Sequence, residues 1–280
     1  MSNIRKAFDH GKAFIPFITC GYPDLETTKS IVRAAEANGA DLIELGIPFS
    51  DPTAEGPVIQ EANIKALAGG VTTDKIFEMV RELRTGSDAA NSASAAAGGS
   101  ADAAAATNTA VTCPMVFMTY ANVVYSYGTV EFMQKCNEVG IDGLILPDVP
   151  YEEKFGFDQV CKKYGLDLIS LIAPTSADRI AMIAKDASGF IYIVSSLGVT
   201  GVRSEIKTDI GAIADVIRQN TDVPCAVGFG ISTPEQAQKM SRLSDGAIVG
   251  SAIIKIITEH GRESAGPVGE YVASMKAAMK

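Results

Sequence analysis

Short apolar runs alternate along the chain with longer segments in which apolar residues recur at helical spacing. The short runs are typical of strands that are buried on both faces, and the longer segments are typical of helices. We predict strands at Phe14–Thr19, Asp41–Leu45, Met115–Met118, Gly143–Leu146, Leu168–Ile172, Phe190–Val194, Cys225–Gly228 and Ala247–Val249. A predicted helix follows each strand, as Leu25–Asn38 follows the first.

Strict strand–helix alternation predicts a parallel sheet, because a parallel return requires a crossover connection. Eight such units in a chain of 280 residues predict a (β/α)8 TIM barrel in a single domain, residues 1–280. Additional helices are predicted at Ser2–His10 and Val268–Met279. The alternative is an open doubly wound sheet. The barrel is favoured because polar and glycine-rich residues follow the strands, which places them together on one rim.

One segment, residues 85–110, departs from this alternation. It consists of Ala, Ser, Gly, Asn, Asp and Thr and contains no large apolar side chain. Such a composition buries too little surface to offset the entropy of ordering. We therefore predict a flexible, low-complexity insertion between the second helix and the third strand of the barrel, with no part in the chemistry.

Charge and cysteine content exclude several classes of protein. The formal net charge is −9, which argues against nucleic acid or an anionic membrane as a partner. No run approaches the roughly 18 apolar residues of a membrane helix, and no signal peptide is evident. The five cysteines are widely spaced and odd in number, which is typical of reduced thiols. We therefore expect a cytoplasmic protein.

The second strand carries a carboxylate, Glu44, where a parallel strand should be fully buried. No basic residue at a strand end offers it a partner, and an unpaired acid in an apolar site is typical of acid–base catalysis. The alternative is a structural carboxylate. The loop that follows is stiffened by prolines and carries Asp51 and Glu55. Glu55 is either a second functional acid or a solvated loop acid.

Glycine turns follow the last two strands. Gly228-Phe229-Gly230 follows the seventh strand, and Gly250-Ser251 follows the eighth and begins a helix. Barrels often bind phosphate with these two loops, using N–H groups at a helix N-terminus. The turns alternatively serve only tight strand–helix connections. A third glycine-rich segment, Leu197–Gly201, is a candidate lid.

Other chemistries find little support in the sequence. The two histidines, His10 and His260, lie near helix ends, and no His/Cys cluster predicts a metal site. No lysine lies at the end of a predicted strand, which argues against a Schiff-base mechanism. Cys20 follows the first strand and is either a nucleophile or, as we favour, a small buried side chain.

Several of these segments together resemble the tryptophan synthase alpha chain family, and the Glu-Leu-Gly-Ile-Pro-Phe-Ser-Asp-Pro run is highly specific to it. The likeness covers the whole chain apart from the insertion. The segments that carry it are Asp41–Gln60, Pro16–Thr19, Gly143–Pro150, Tyr192–Gly201, Gly228–Ser232 and Gly250–Ile256. The resemblance implies a lyase that cleaves indole-3-glycerol phosphate to indole and D-glyceraldehyde 3-phosphate by a retro-aldol reaction.

The resemblance also implies roles for individual residues. Glu44 matches the catalytic acid–base glutamate, and Glu55 matches the second catalytic carboxylate, which is aspartate in the best-studied members. The indole pocket would be lined by Phe17, Met118, Ile145 and Tyr192. The lid threonine would be Thr200, and the phosphate would be bound by Gly201, Gly230, Gly250 and Ser251, with Phe229 beside them.

The family works with a partner, and the resemblance extends to it. It implies a tryptophan synthase beta chain in an alpha2beta2 tetramer, with Pro48 and Asp51 facing that chain. Pyridoxal phosphate is expected only in the beta chain, so the resemblance implies no cofactor and no metal in this one.

Two other hypotheses share some of these features. A different phosphate-binding barrel enzyme, such as a sugar-phosphate isomerase, would have the same glycine turns. A weakly catalytic subunit that mainly activates its partner would use the proline-rich loop, with an exposed Phe49, as its interface.

Overall fold

Parallel strands form the centre of the computed structural model, which describes residues 3–87, 110–195, 209–228 and 230–280. Their order in the sheet is β5-β4-β3-β2-β1-β9-β8-β7-β6, and all neighbouring pairs are parallel. The strands are β1 (Ala13–Thr19), β2 (Ile43–Gly46), β3 (Met115–Met118), β4 (Gly143–Ile145), β5 (Asp167–Leu168), β6 (Ser170–Ile172), β7 (Ile191–Val194), β8 (Cys225–Gly228) and β9 (Gly246–Val249).

The two edges of this sheet belong to one run of chain, which closes it into a barrel. β5 pairs with β4 and β6 pairs with β7, and only Ile169 separates β5 from β6. The Ile169 N–H still donates to the Leu144 carbonyl at 2.8 Å. The predicted strand Leu168–Ile172 is therefore interrupted where it passes from one neighbour to the other. The predicted TIM barrel is confirmed, and the open-sheet alternative is wrong.

Helices surround the strands and pack their apolar faces on them. They are α1 (Leu25–Ala37), α2 (Pro57–Ala68), α3 (Thr73–Thr85), α4 (Ala121–Tyr127), α5 (Thr129–Val139), α6 (Phe155–Lys163), α7 (Ala177–Lys185), α8 (Ile210–Asn220), α9 (Pro234–Leu243), α10 (Ser251–His260) and α11 (Ala265–Ala278). None of these helices is long and apolar enough to cross a membrane.

Two additional terminal elements frame the barrel, as predicted. The N-terminal one is a 3-10 helix, Ile4–Phe8, rather than an α-helix over Ser2–His10. The C-terminal one is α11, which packs against α1 and α9. The sequence analysis missed α4, whose seven residues are too few to show a helical period.

Aspartates at the N-terminal ends of the strands tie neighbouring strands together. The predicted strand at Asp41–Leu45 begins instead at Ile43, and the Asp41 carboxylate accepts the Phe14 N–H at 2.7 Å while pairing with Lys276 at 2.7 Å. Asp142 and Asp245 accept N–H groups of their neighbouring strands in the same way. This rim is built for stability, which leaves the opposite rim for function.

The predicted insertion lies largely outside the described residues, which omit 88–109. The chain on either side of this gap is fixed to α3. The Val111 N–H donates to the Leu83 carbonyl at 2.8 Å, and the Arg84 guanidinium donates to the carbonyls of Val111 and Cys113 at 3.0 and 2.7 Å. The two ends of the segment are therefore held independently of what connects them.

Replacing residues 88–109 with a short Gly-Ser linker should leave the melting temperature within about 2 °C of the parent chain, because the Arg84 contacts remain and loop length affects closure entropy only weakly. Arg84→Met should instead lower it by about 5 °C or more, through loss of charged hydrogen bonds. Thermal unfolding followed by circular dichroism measures both. A large loss on shortening the segment would contradict the prediction.

Candidate active site

A cavity at the carboxyl ends of the strands collects most of the predicted site. Seven of the predicted residues line it, together with three isoleucines that the sequence analysis did not single out. The lining consists of Phe17, Glu44, Met118, Tyr192, Gly230, Gly250 and Ser251, with Ile59, Ile231 and Ile248. Among the described lining residues, only Glu44, Tyr192 and Ser251 carry polar side-chain atoms, so this part of the cavity is apolar with few polar groups, as ligand sites usually are.

Glu44 is buried in this pocket without compensation. It lies on β2 with 1% of its surface exposed, and neither carboxylate oxygen has a hydrogen-bond partner among the described residues. Burial raises the pKa of Glu44 to about 8, with a further contribution from the charge of Glu55. The acid thus holds a proton at neutral pH and can donate it inside the barrel.

Two glycines allow aromatic rings to close around Glu44. A Cβ at Gly46 would lie 2.5 Å from the ring of Phe17, and one at Gly228 would overlap the Tyr192 hydroxyl. Any larger residue would displace these rings. Tyr192 is itself buried, and burial together with the nearby Glu44 raises its pKa. The glycines therefore leave room for the two rings that line the cavity together with Glu44.

Glu55 is buried as well, so the solvated-loop interpretation is wrong. It is 4% exposed, and Asn63 Nδ2 donates to its Oε2 at 2.6 Å. Burial raises its pKa to about 7, while hydrogen bonds from Asn63 and the Tyr120 hydroxyl lower it. Hydrogen bonds thus oppose the rise in the pKa of Glu55, whereas no described residue donates to Glu44.

Another part of the cavity lining is suited to an anion. Gly250 precedes α10, Ser251 is the first residue of that helix, and Gly230 lies beside them in the cavity lining. The first N–H groups of a helix lack intrahelical acceptors, and the helix dipole favours negative charge there. An anionic group bound at this end would place the rest of a ligand against Glu44.

Some predicted residues lie elsewhere. Ile145 is buried on β4 beside Met118 but is not part of the cavity lining. On the loop after β2, Pro48 is buried and Asp51 is exposed, where it accepts a hydrogen bond from Ser50. Thr200, Gly201 and Phe229 lie outside the described residues, as does most of the candidate lid, Leu197–Gly201.

Three other predictions are tested by the described residues. Phe49 is half-buried with its ring 5.1 Å from that of Tyr120, so the expected exposed phenylalanine is wrong. Cys20 is fully buried and burial raises its pKa, which fits the small buried side chain that we favoured. No cluster of three or more His, Cys, Asp or Glu side chains that could hold a metal occurs within the described ranges.

The sequence analysis missed the two residues that hold Glu55. Tyr120 directly follows β3, so the rule that functional side chains follow barrel strands could have identified it. Asn63 lies within α2, where the sequence shows only a polar residue in a helix. Its role depends on how α2 packs against the barrel.

Comparison with known proteins gives one consistent family. The family model described as tryptophan synthase alpha chain matches residues 4–91 and 100–280. The tryptophan synthase alpha chain of Lacticaseibacillus casei is 43% identical over 279 residues, covering 100% of this chain and 96% of that protein. The one from Thermoanaerobacter sp. is 43% identical, with 99% of each chain covered.

Solved structures agree. The crystal structure of the tryptophan synthase alpha chain from Legionella pneumophila has a TM-score of 0.81 at 35% identity, covering 100% of this chain and 97% of that one. A Mycobacterium tuberculosis tryptophan synthase structure has a TM-score of 0.81 at 28% identity, covering 99% and 98%.

The burial of Glu44 predicts a pH-dependent gain in stability for Glu44→Gln. The unfolded carboxyl ionises near pH 4.5, but the folded one keeps its proton to about pH 8. Folding of the parent chain therefore becomes less favourable as the pH rises through this window, by up to about 1.4 kcal/mol per pH unit. Glutamine does not titrate, so the variant's advantage in melting temperature should grow between about pH 5 and pH 8.5. Glu259→Gln, at an exposed position, is the control and should show no such trend.

Proposed function

Because this chain belongs to the tryptophan synthase alpha chain family, we propose that its buried acids Glu44 and Glu55 are the catalytic residues of the family reaction. The chain is a lyase of L-tryptophan biosynthesis that cleaves indole-3-glycerol phosphate to indole and D-glyceraldehyde 3-phosphate. The observation that carries our assignment is a buried Glu44, without a hydrogen-bond partner among the described residues, in the same cavity as the N-terminus of α10. A sugar-phosphate isomerase is disfavoured by the full-length match.

Glu44 acts first, as a general acid. It donates its proton to C3 of the indole ring, which converts the ring into an iminium cation and so creates an electron sink within the substrate. Its raised pKa keeps the proton available at neutral pH. After donation Glu44 is a carboxylate and can take the proton of the glyceryl hydroxyl as the carbon–carbon bond breaks. The bonding electrons return to the ring, indole and the aldehyde are released, and Glu44 regains its proton.

Glu55 acts as the anion of the pair. With the lower pKa it is the acid that ionises first as the pH rises. A carboxylate near the indole N–H stabilises the positive charge that develops at the ring nitrogen when C3 is protonated. Burial strengthens this interaction, because little water screens the charges.

Substrate binding is assigned to the rest of the cavity. Phe17, Met118 and Tyr192 would contact the indole ring, and Gly230, Gly250 and Ser251 would bind the phosphate. The family pattern places Ile145 at the indole ring as well, although it lies beside Met118 and outside the cavity lining. The family pattern adds Gly201 and Phe229 near the phosphate and Thr200 as the lid residue that supports Glu55. Fixing both ends of the substrate orients the scissile bond beside Glu44.

This mechanism requires no cofactor in the chain, since the protonated indole ring itself accepts the electrons. In the family, pyridoxal phosphate belongs to the beta chain. We accordingly propose that a beta chain is the partner, in an alpha2beta2 tetramer, with Asp51 on its exposed loop and the neighbouring Pro48 contributing to the contact. We also place the chain in the cytoplasm, in line with its five free cysteines.

Glu44→Gln and Glu55→Gln test the assignment directly. Each variant keeps the side-chain shape but loses the proton donor or the charge, so indole release from indole-3-glycerol phosphate should fall by about 100-fold or more. Both should still bind the glyceraldehyde 3-phosphate product at the glycine turns. Glu259→Gln serves as the control. A rate near that of the parent chain for either variant would reject that residue's role.

The pH dependence provides an independent check. Activity needs Glu55 ionised and Glu44 protonated, so kcat/KM should rise through about pH 7 and fall above about pH 8. In Glu44→Gln the residual activity should lose the alkaline limb. Rates measured from about pH 5.5 to 9.5 give the profile. A parent profile that keeps rising above pH 9 would contradict a protonated Glu44.

A further inference from the structure

Glu55 is held by side chains from two different parts of the barrel. Asn63 reaches it from α2, and Tyr120 reaches it from the end of β3. We propose that Tyr120 and Asn63 form a clamp that positions the Glu55 carboxylate for the reaction. The proposal rests on the function proposed above for Glu55 and adds two positioning residues to it.

Tyr120 makes three contacts with the loop between β2 and α2. Its hydroxyl oxygen accepts the Ala54 N–H at 3.0 Å, and its ring lies 5.1 Å from that of Phe49. Because the Ala54 N–H occupies a lone pair of the phenol, the hydroxyl proton remains free to donate to the Glu55 carboxylate, its third contact. One side chain thus fixes both the backbone and the acid of this loop.

Tyr120 is itself rigidly placed. It is 2% exposed and immediately precedes α4. The N–H of the next residue, Ala121, donates to both carboxylate oxygens of Asp148 at 3.1 Å, and the Tyr120 carbonyl accepts the Val123 N–H at 3.0 Å. Contacts of Tyr120 and its neighbour Ala121 therefore connect the loops after β2, β3 and β4. These contacts fix the position of the Tyr120 hydroxyl.

The clamp matters more for glutamate than for a shorter acid. Glutamate has one more rotatable bond than aspartate, and that freedom must be removed for the carboxylate to hold one position. Asn63 and Tyr120 donate to the same carboxylate from separate elements, which fixes its rotamer. Asn63 is itself buried at 3% exposure, so its amide has little access to water as an alternative hydrogen-bond partner.

The clamp also separates the two acids electrostatically. Among the described residues, the titratable groups that face Glu55 are Glu44 from β2 and Tyr120 from the β3 loop. Asp148 of the β4 loop in turn faces Tyr120, and Tyr192 of β7 faces Glu44. Donors to a carboxylate favour its ionised form. Removing one should raise the pKa of Glu55 toward that of Glu44, so that the two acids compete for one proton.

Tyr120→Phe and Asn63→Ala test the clamp in the full chain. Indole release from indole-3-glycerol phosphate should show kcat lowered by about 10- to 100-fold with KM changed by less than about 3-fold. The acid limb of the pH profile should move up by about one pH unit, which narrows the profile. The double variant should lose less than the product of the single losses, because the two residues act on one carboxylate.

Tyr127→Phe is the matched control. It removes a phenol that donates to a carboxylate, Asp74, at 2.7 Å, away from the cavity, and should leave rate and pH profile unchanged. A Tyr120→Phe variant with the profile of this control overturns the proposal, as does a loss confined to KM. If Tyr120→Phe does not fold, Asn63→Ala decides by the same criteria.

Failure of the clamp and failure of the catalytic assignment give different results. An inactive Glu55→Gln together with a normal Tyr120→Phe rejects the clamp alone. A fully active Glu55→Gln rejects the catalytic role of Glu55, and the clamp with it.

Discussion

An uncompensated carboxylate inside the barrel is the constraint on which the rest of the structure depends. Glu44 has no hydrogen-bond partner among the described residues, and an ionised acid in such a place would cost several kcal/mol. This cost is avoided because Glu44 stays protonated. Burial of the acid therefore explains both why it is neutral and why it has a proton to donate. Gly46 and Gly228 are part of this arrangement, because they leave room for the rings of Phe17 and Tyr192, which line the cavity with the acid.

The opposite rim shows what the barrel does with carboxylates when stability is the purpose. Asp41 and Asp142 each accept a backbone N–H of a neighbouring strand and pair with a cation, Lys276 and Arg84 respectively. These charges are satisfied, and they connect strands with helices distant in sequence. The carboxylates at the N-terminal ends of the strands are therefore paired, whereas Glu44 near the C-terminal ends has no partner among the described residues. Stability at one rim permits an unsatisfied acid at the other.

Part of this arrangement could be predicted from the sequence, and the reasons differ from residue to residue. Glu44 was predictable because an acid within an apolar strand breaks a local pattern, and the glycine turns were predictable because their position in the alternation is fixed. The interruption of the strand at Ile169 could not be predicted, because two short apolar strands separated by one apolar residue give the same pattern as one continuous strand. The burial of Glu55 was not predictable either, because a loop acid carries no periodicity and its surroundings come from α2 and β3.

The relation between the two acids follows from how their surroundings differ. Both are buried, and burial alone would raise the pKa of both. Of the two acids, Glu55 alone receives hydrogen bonds from described residues: from Asn63, eight residues further along the chain in α2, and from Tyr120 at the end of β3. Two buried acids that interact electrostatically titrate as a coupled pair. The hydrogen bonds to Glu55 favour its ionised form, so these surroundings favour a proton on Glu44, which lines the cavity, and a negative charge on Glu55.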